Sequence, residues 1–305
     1  MKKRTGILLG LLACFIWAGA FPTIKLIYGE LDISSNLGAK MTLAGLRFSI
    51  AGLLILIFYT VRFKKLPKIS VRKDLLKLIF LGLVQTALLY AFFFNGISNA
   101  TGIKSAILSQ SSIFFVIVLA HFFLKGEKVS INKWLGLVLG FLGIVIVNLG
   151  ELMPGEGLFS FSLSGEGFLL FAGLFSALGT IMVKKLGRFV HPVLMNGWQM
   201  TFGGIVLLIY GLILNKGLVT LTTGRSVVLL IILIAIAACG FTIWFILLQH
   251  FKAGEISVYK FTIPIMGSLL SAAFIMGEHI TVKIFIGLAL VSLGIILSNK
   301  TAKKV

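Results

Sequence analysis

The chain has 305 residues, of which 58% are apolar and only 12% charged, and its mean hydropathy is +1.09. So few polar side chains cannot clothe a water-facing surface, which excludes a soluble globular protein and indicates an all-α polytopic membrane protein. The net charge of +19 comes with no aromatic–basic recognition motif, which argues against nucleic acid as a partner.

Apolar runs between polar punctuation predict ten transmembrane helices, near 6–28, 37–60, 75–96, 101–124, 132–149, 165–184, 194–214, 226–249, 254–277 and 281–298. The first begins with Met-Lys-Lys-Arg-Thr and passes Ala18-Gly19-Ala20, which resembles a cleavable secretory signal. The apolar run continues to Ile27, so the segment is expected to stay as a helix. Within it Trp17 and Phe21 are one turn apart, and Pro22 should kink the helix. Helix two carries Arg47 near its middle, where an uncompensated arginine costs ~2.5–3.5 kcal/mol and must face protein or water. Its structural reading is a pin to backbone carbonyls of a neighbouring helix.

Helix three places Tyr90 and Phe94 one turn apart, with Gln85 and Asn95 close by, and helix four contains Gln110. Buried amides need hydrogen-bond partners, so Gln85 and Gln110 should face inward. Gly136, Gly140 and Gly143 of helix five, and Gly287 and Gly294 of helix ten, read as packing ridges. Trp244 of helix eight, like Trp17, lies too deep for an interfacial anchor.

Helix nine has the most coherent polar stripe. Ser257, Lys260, Pro264, Gly267 and Ser271 recur at three- and four-residue steps and share one face, with Tyr259 beside them. A stripe of small residues is also the mark of close helix packing. Lys260 lies ~7 Å into the helix at 1.5 Å per residue, and three readings stand open for it. Its stem could snorkel to the interface, its ammonium could bind a substrate carboxylate or phosphate, or desolvation could make it carry a coupling proton. Helix four has a fainter stripe of Ser105, Ser109 and Ser112, with Leu108 or Ser109 at the position equivalent to Lys260.

That equivalence comes from internal repetition. Gly6 to Lys25 aligns without gaps to Gly165 to Lys184, and Gly126 to Asn148 aligns to Gly277 to Asn299. Two inverted five-helix repeats follow, covering 1–149 and 165–305, with a connecting loop at 150–164. Repeats of opposite orientation place a transport site at their interface near the membrane midplane. Basic residues gather at Lys2, Lys3 and Arg4, in the loop from Arg62 to Lys77, at Lys125, Lys128 and Lys133, at Lys184, Lys185 and Arg188, and at Lys300, Lys303 and Lys304. The alternate loops carry Glu30, Asp32, Glu151, Glu156 and Glu278. This positive-inside pattern predicts cytoplasmic termini in a cell membrane.

Trp17-Ala-x-x-Phe21, the Gly-Leu-Arg-Phe of residues 45–48, the repeated Gly126-Glu127 and Gly277-Glu278, and Pro264 together resemble the drug/metabolite transporters of the EamA type. The resemblance implies ten helices around a central cavity in a bacterial inner membrane, and efflux of amino acids or related small polar or anionic metabolites. One departure is Ser112, which stands where the counterpart of Pro264 is often found, so helix four is expected to be the straighter of the two.

A proton-coupled cation or multidrug antiporter is the alternative within transport. It relies on an acid in the first helix, which is missing here, although the repeat partner has Glu166 near its outer end. An intramembrane enzyme would need paired carboxylates, a metal cluster or an activated nucleophile, and the spans offer none. His121, His191, His250 and His279 are scattered, and Cys14 and Cys239 lie within apolar runs, so no metal site or cofactor is expected. A receptor without transport is the remaining alternative. The residues expected to meet substrate are Lys260, Trp17, Phe21, Tyr90, Phe94, Gln85, Asn95, Gln110, Trp244, Ser257 and Tyr259, with helix breaks at Pro22 and Pro264.

Overall fold

The computed structural model describes residues 1–66, 72–100, 102–148, 161–276 and 279–298, and these form helices joined by turns and irregular connections, with no strand among them. Eight helices are long and apolar enough to cross a membrane: α1 (Lys3–Glu30), α2 (Leu37–Phe63), α3 (Asp74–Asn99), α4 (Lys104–Phe123), α6 (Leu163–Leu186), α7 (Pro192–Asn215), α8 (Gly224–His250) and α9 (Ala253–Phe274). Two shorter apolar helices complete the predicted ten, α5 (Ile131–Asn148) and α10 (Val282–Ser298). Gly277, Glu278, Glu151, Glu156, Lys68, Asn299 and the C-terminal Lys300, Lys303 and Lys304 lie outside the described residues, as does most of the 150–164 connection.

Two glycine seams hold helix pairs at close range. In α2, Gly38, Gly45 and Gly52 recur every seven residues and lie against the α7 backbone at Asn215, Leu208 and Thr201. The α7 glycines Gly197, Gly204 and Gly211 return the contact. A strict seven-residue spacing keeps one face toward an antiparallel partner, and bare Cα atoms let the backbones approach. The second seam joins α5 and α10: a Cβ at Gly136 would lie 2.5 Å from the Gly294 carbonyl oxygen, and one at Gly143 would lie 2.8 Å from that of Gly287. Gly140 lies instead against the Phe261 ring of α9.

Five of the ten helices depart from regular α geometry. α1 has a turn at Gly19, just before Pro22, and the Thr23 hydroxyl donates to the Gly19 carbonyl at 2.7 Å. Proline offers no N–H to the turn before it, so the break falls one turn upstream. α3 contains a π-helical turn at Leu83–Leu88 and α6 begins with another at Leu163–Gly167. α9 passes through a 3-10 stretch at Val258–Phe261 ahead of Pro264.

α4 differs from expectation. It is not straight: one helical piece ends at Leu108, Ser109 and Gln110 form a turn, and a second piece starts at Ser111. The Ser109 hydroxyl donates to the carbonyl of Ser105 at 2.6 Å and to that of Ala106 at 3.2 Å. A serine that bonds back to the preceding turn bends a helix without proline.

Polar ties close the bundle at both ends. At the end carrying Arg62, Lys184 and Arg188, hereafter the basic end, the buried Glu127 carboxylate accepts from the N–H of Ala253 at 2.7 Å and of Gly254 at 2.9 Å. A carboxylate on the first N–H groups of a helix satisfies orphan donors and complements the helix dipole. Gly126, at φ +81°, makes the turn that aims it. At the opposite end Lys104 of α4 pairs with Glu166 of α6 at 2.8 Å, and both are largely buried.

Candidate substrate site

The α9 stripe points into the protein. The Lys260 ammonium lies 5.0 Å from the Trp244 ring centroid and 5.9 Å from that of Trp17. Trp17 is near the middle of α1, so the lysine reaches along the stripe toward the bundle centre rather than back to the helix end. Among the described residues no carboxylate pairs with it, and Glu255 at the start of α9 is 3.8 Å from Lys252. An ammonium over two indole faces gains cation–π stabilisation of ~0.5–2 kcal/mol per ring. That is weaker than a charge-assisted hydrogen bond, so the cation keeps its capacity for an anion.

The tryptophans are set by local sequence. Trp17 and Trp244 are 5.2 Å apart, and the Trp17 indole nitrogen lies over Gly240, where a Cβ would be 2.5 Å from it. Any larger residue at position 240 would push the ring away. Among the described residues neither indole N–H has a hydrogen-bond partner, although both are buried, and the same holds for the Ser257 hydroxyl one turn before Lys260. Buried donors normally find an acceptor, so these three are available to a ligand.

An aromatic chain leads onward from this pair. Trp17 meets Phe241 at 5.0 Å, Phe241 meets Phe48 at 6.4 Å, and Phe48 meets Tyr90 at 4.4 Å, with Phe94 6.1 Å beyond. Arg47 lies at the far end, only 6% exposed. Its guanidinium is 4.5 Å from the Phe48 ring and 5.9 Å from that of Tyr90. This corrects the expected pin to backbone carbonyls: among the described residues the Arg47 Nε has no hydrogen-bond partner. The planar, weakly hydrated guanidinium lies on aromatic faces instead.

The other candidates divide. Tyr259 is buried against Gly10 of α1, next to Lys260. Phe21 is 49% exposed and packs on Gly267 of α9. Gln110 is buried at the α4 break. Gln85 lies on the π turn of α3 against Gly179 of α6, and its side-chain oxygen has no hydrogen-bond partner among the described residues. Asn95 turns back on its own helix and donates to the Ala91 carbonyl at 2.8 Å. These contacts bring Lys260, Trp17, Trp244, Tyr90 and Phe94 into one connected cluster and leave Gln85 and Asn95 in contacts of their own.

The sequence marks Phe48 only as part of the Gly-Leu-Arg-Phe motif and does not mark Phe241, though the two rings bridge the two cations, because an aromatic inside an apolar run carries no signal. Nor does it mark a buried relay in which Thr86 donates to Gln199 at 2.9 Å, Gln199 to Asn196 at 3.0 Å and Asn196 to Thr242 at 3.0 Å. That relay ties α3, α7 and α8 together behind the aromatic chain. The four residues lie on three helices, and no local pattern announces them.

The fold has counterparts among known proteins. A solved crystal structure superposes with a TM-score of 0.76, covering 98% of this chain and 97% of its own at 17% identity, a likeness of fold. The uncharacterized transporter YvbV of Bacillus subtilis (strain 168) is 28% identical over 99% of this chain and 93% of its own. A probable amino-acid metabolite efflux pump of Escherichia coli (strain K12) is 26% identical over 97% of this chain and 94% of its own. The family model of the EamA-like transporters matches twice, over residues 4–149 and 163–300. With its ten-helix fold, this chain is an integral membrane transporter and belongs to the EamA-like transporter family.

Proposed function

We propose that this transporter exports amino acids or similar small metabolites that carry a carboxylate or other anionic group. The observation that carries the reading is Lys260, a cation without an acidic partner among the described residues, held over Trp17 and Trp244 inside the bundle. The indole N–H groups of the two rings that face Lys260, and the Ser257 hydroxyl one turn before it, have no partner among the described residues and add hydrogen-bond donors beside the cation. Donors and a cation around an apolar surface suit an anionic head on a small organic body. The name of the Escherichia coli relative is in line with that substrate class.

Movement follows from the repeats. In this reading the halves 1–149 and 165–298 rock about the aromatic cluster to expose it to each side in turn. Two matches of one family model to the two halves support it. So do the paired breaks: Ser111 of α4 lies on Gly173 of α6, as Thr262 of α9 lies beside Cys14 of α1. Loop charge puts the basic end and both termini in the cytoplasm of a bacterial cell.

Flux measurements in proteoliposomes test the reading. Proteoliposomes loaded with radiolabelled amino acids should release them saturably, and Lys260→Ala should cut that release about 100-fold. Flux of organic cations with none of amino acids or organic anions would refute it and favour the antiporter. Repeating the assay with an imposed pH gradient assigns proton coupling.

A further inference from the structure

A groove apart from the proposed substrate site lies on the surface between α3 and α6. α3 and α6 pack closely where Gly96 meets Leu169 and where Gln85 meets Gly179. Toward the basic end they separate, and the gap is a cavity of about 530 Å³. Its walls are Leu76 and Phe80 of α3 and Met182 and Leu186 of α6, closed at the end by Phe189. Phe189 is 77% exposed, in the turn that follows α6. Lys77 and Lys185 stand at the rim, and Arg188 is exposed in the same turn. Asp74 is the opposing charge; it holds Lys77 at 2.8 Å, a surface pair of the weak kind.

We propose that this groove seats an anionic phospholipid, with an acyl chain between α3 and α6 and the headgroup phosphate on Lys77 and Lys185. Water is a poor occupant, because the walls below the rim offer it no hydrogen-bond partners. A hydrocarbon chain matches those walls and is the solvent at that depth. The two lysines lie within about a turn of their helix ends, at headgroup level, where basic residues between helices select negative lipid. Arg188 makes three cations against one acid, so a net negative headgroup is favoured over a zwitterionic one. The groove also lies where one helix of each half diverges, so a seated chain props that gap open.

Native mass spectrometry of the full chain, offered equal amounts of phosphatidylglycerol and phosphatidylcholine, tests this. One phosphatidylglycerol should be retained in preference to phosphatidylcholine. At about fivefold per basic residue, the double variant Lys77→Gln, Lys185→Gln should lower that preference roughly 25-fold. Met182→Trp, which fills the groove without touching charge, should expel the lipid, and melting temperatures identify any variant that has merely misfolded. Equal retention of both lipids by the unaltered chain would overturn the proposal. So would undiminished phosphatidylglycerol in both folded variants, displacement of the lipid by inorganic phosphate alone, or a dimer whose interface covers Phe189.

Discussion

α4 and α9 are broken at matching positions by different means. In α9 the 3-10 stretch at Val258–Phe261 precedes Pro264, which has no N–H to give the Lys260 carbonyl four residues back. In α4 the break at Ser109–Gln110 depends on the Ser109 hydroxyl, which bonds to the carbonyls of the turn before it. Both breaks sit against a neighbouring helix at a small residue, Cys14 of α1 for one and Gly173 of α6 for the other. The geometry therefore requires neither a proline nor a charge. Lys260 replaces what is Ser109 in the other half, and the bend exists without it. A cation that the bend does not need, placed over two tryptophans, is better explained by what it binds.

The sharpest way to break that comparison is to remove the charge and keep the bend. Lys260→Ala should cut transport about 100-fold, the worth of one hydrogen bond to a charged group at its upper range of ~3 kcal/mol, with expression and melting temperature unchanged. Lys260→Arg should restore only part of the flux. Adding Ser109→Lys to Lys260→Ala moves the cation to the other half and should restore none, because the two indoles flank Lys260; a recovery in flux would mean the halves are interchangeable.

Smaller effects sharpen the same contrast. Trp17→Ala with Trp244→Ala should weaken apparent affinity about tenfold, through lost cation–π contact and lost indole donors, and unchanged affinity would remove both from the site. Glu127→Ala should lower stability by ~2 kcal/mol, since two charge-assisted bonds to the α9 N-terminus disappear; calorimetric melting in detergent checks it. The smallest change is expected from Ser109→Ala, below ~1 kcal/mol in stability and under about threefold in flux, because the gain in α4 regularity offsets the lost back-bond.

The ten spans were legible because apolar length is a direct readout of bilayer thickness. The break in α9 was legible through Pro264, whereas the one in α4 was missed. A serine bends a helix only if its hydroxyl chooses the preceding turn, and sequence does not record that choice. The seven-residue spacing of Gly38, Gly45 and Gly52 was readable in principle, and so was its counterpart in α7. Lys260 drew attention as a charge on a small-residue stripe, but its convergence with Trp17 and Trp244 needed three helices to meet. Arg47 was expected to face protein or water, with a pin to carbonyls as one reading; it lies instead on aromatic faces from α2 and α3, which no local pattern around it announces. Glu127 was seen as half of a repeated Gly-Glu pair, while its partner, the α9 N-terminus, lies 126 residues away in the chain.

Fluorescence of Trp17 and Trp244 tests the central claim most directly. With Trp134→Phe and Trp198→Phe in place, these two are the only indoles left of the four in the chain. Titrating amino acids and organic anions into that protein should give a saturable change in emission, and adding Lys260→Ala should abolish it while leaving the melting temperature in place. Saturable transport by the Trp134→Phe, Trp198→Phe protein with no change in its emission, or the same titration curve after Lys260→Ala, would contradict the account.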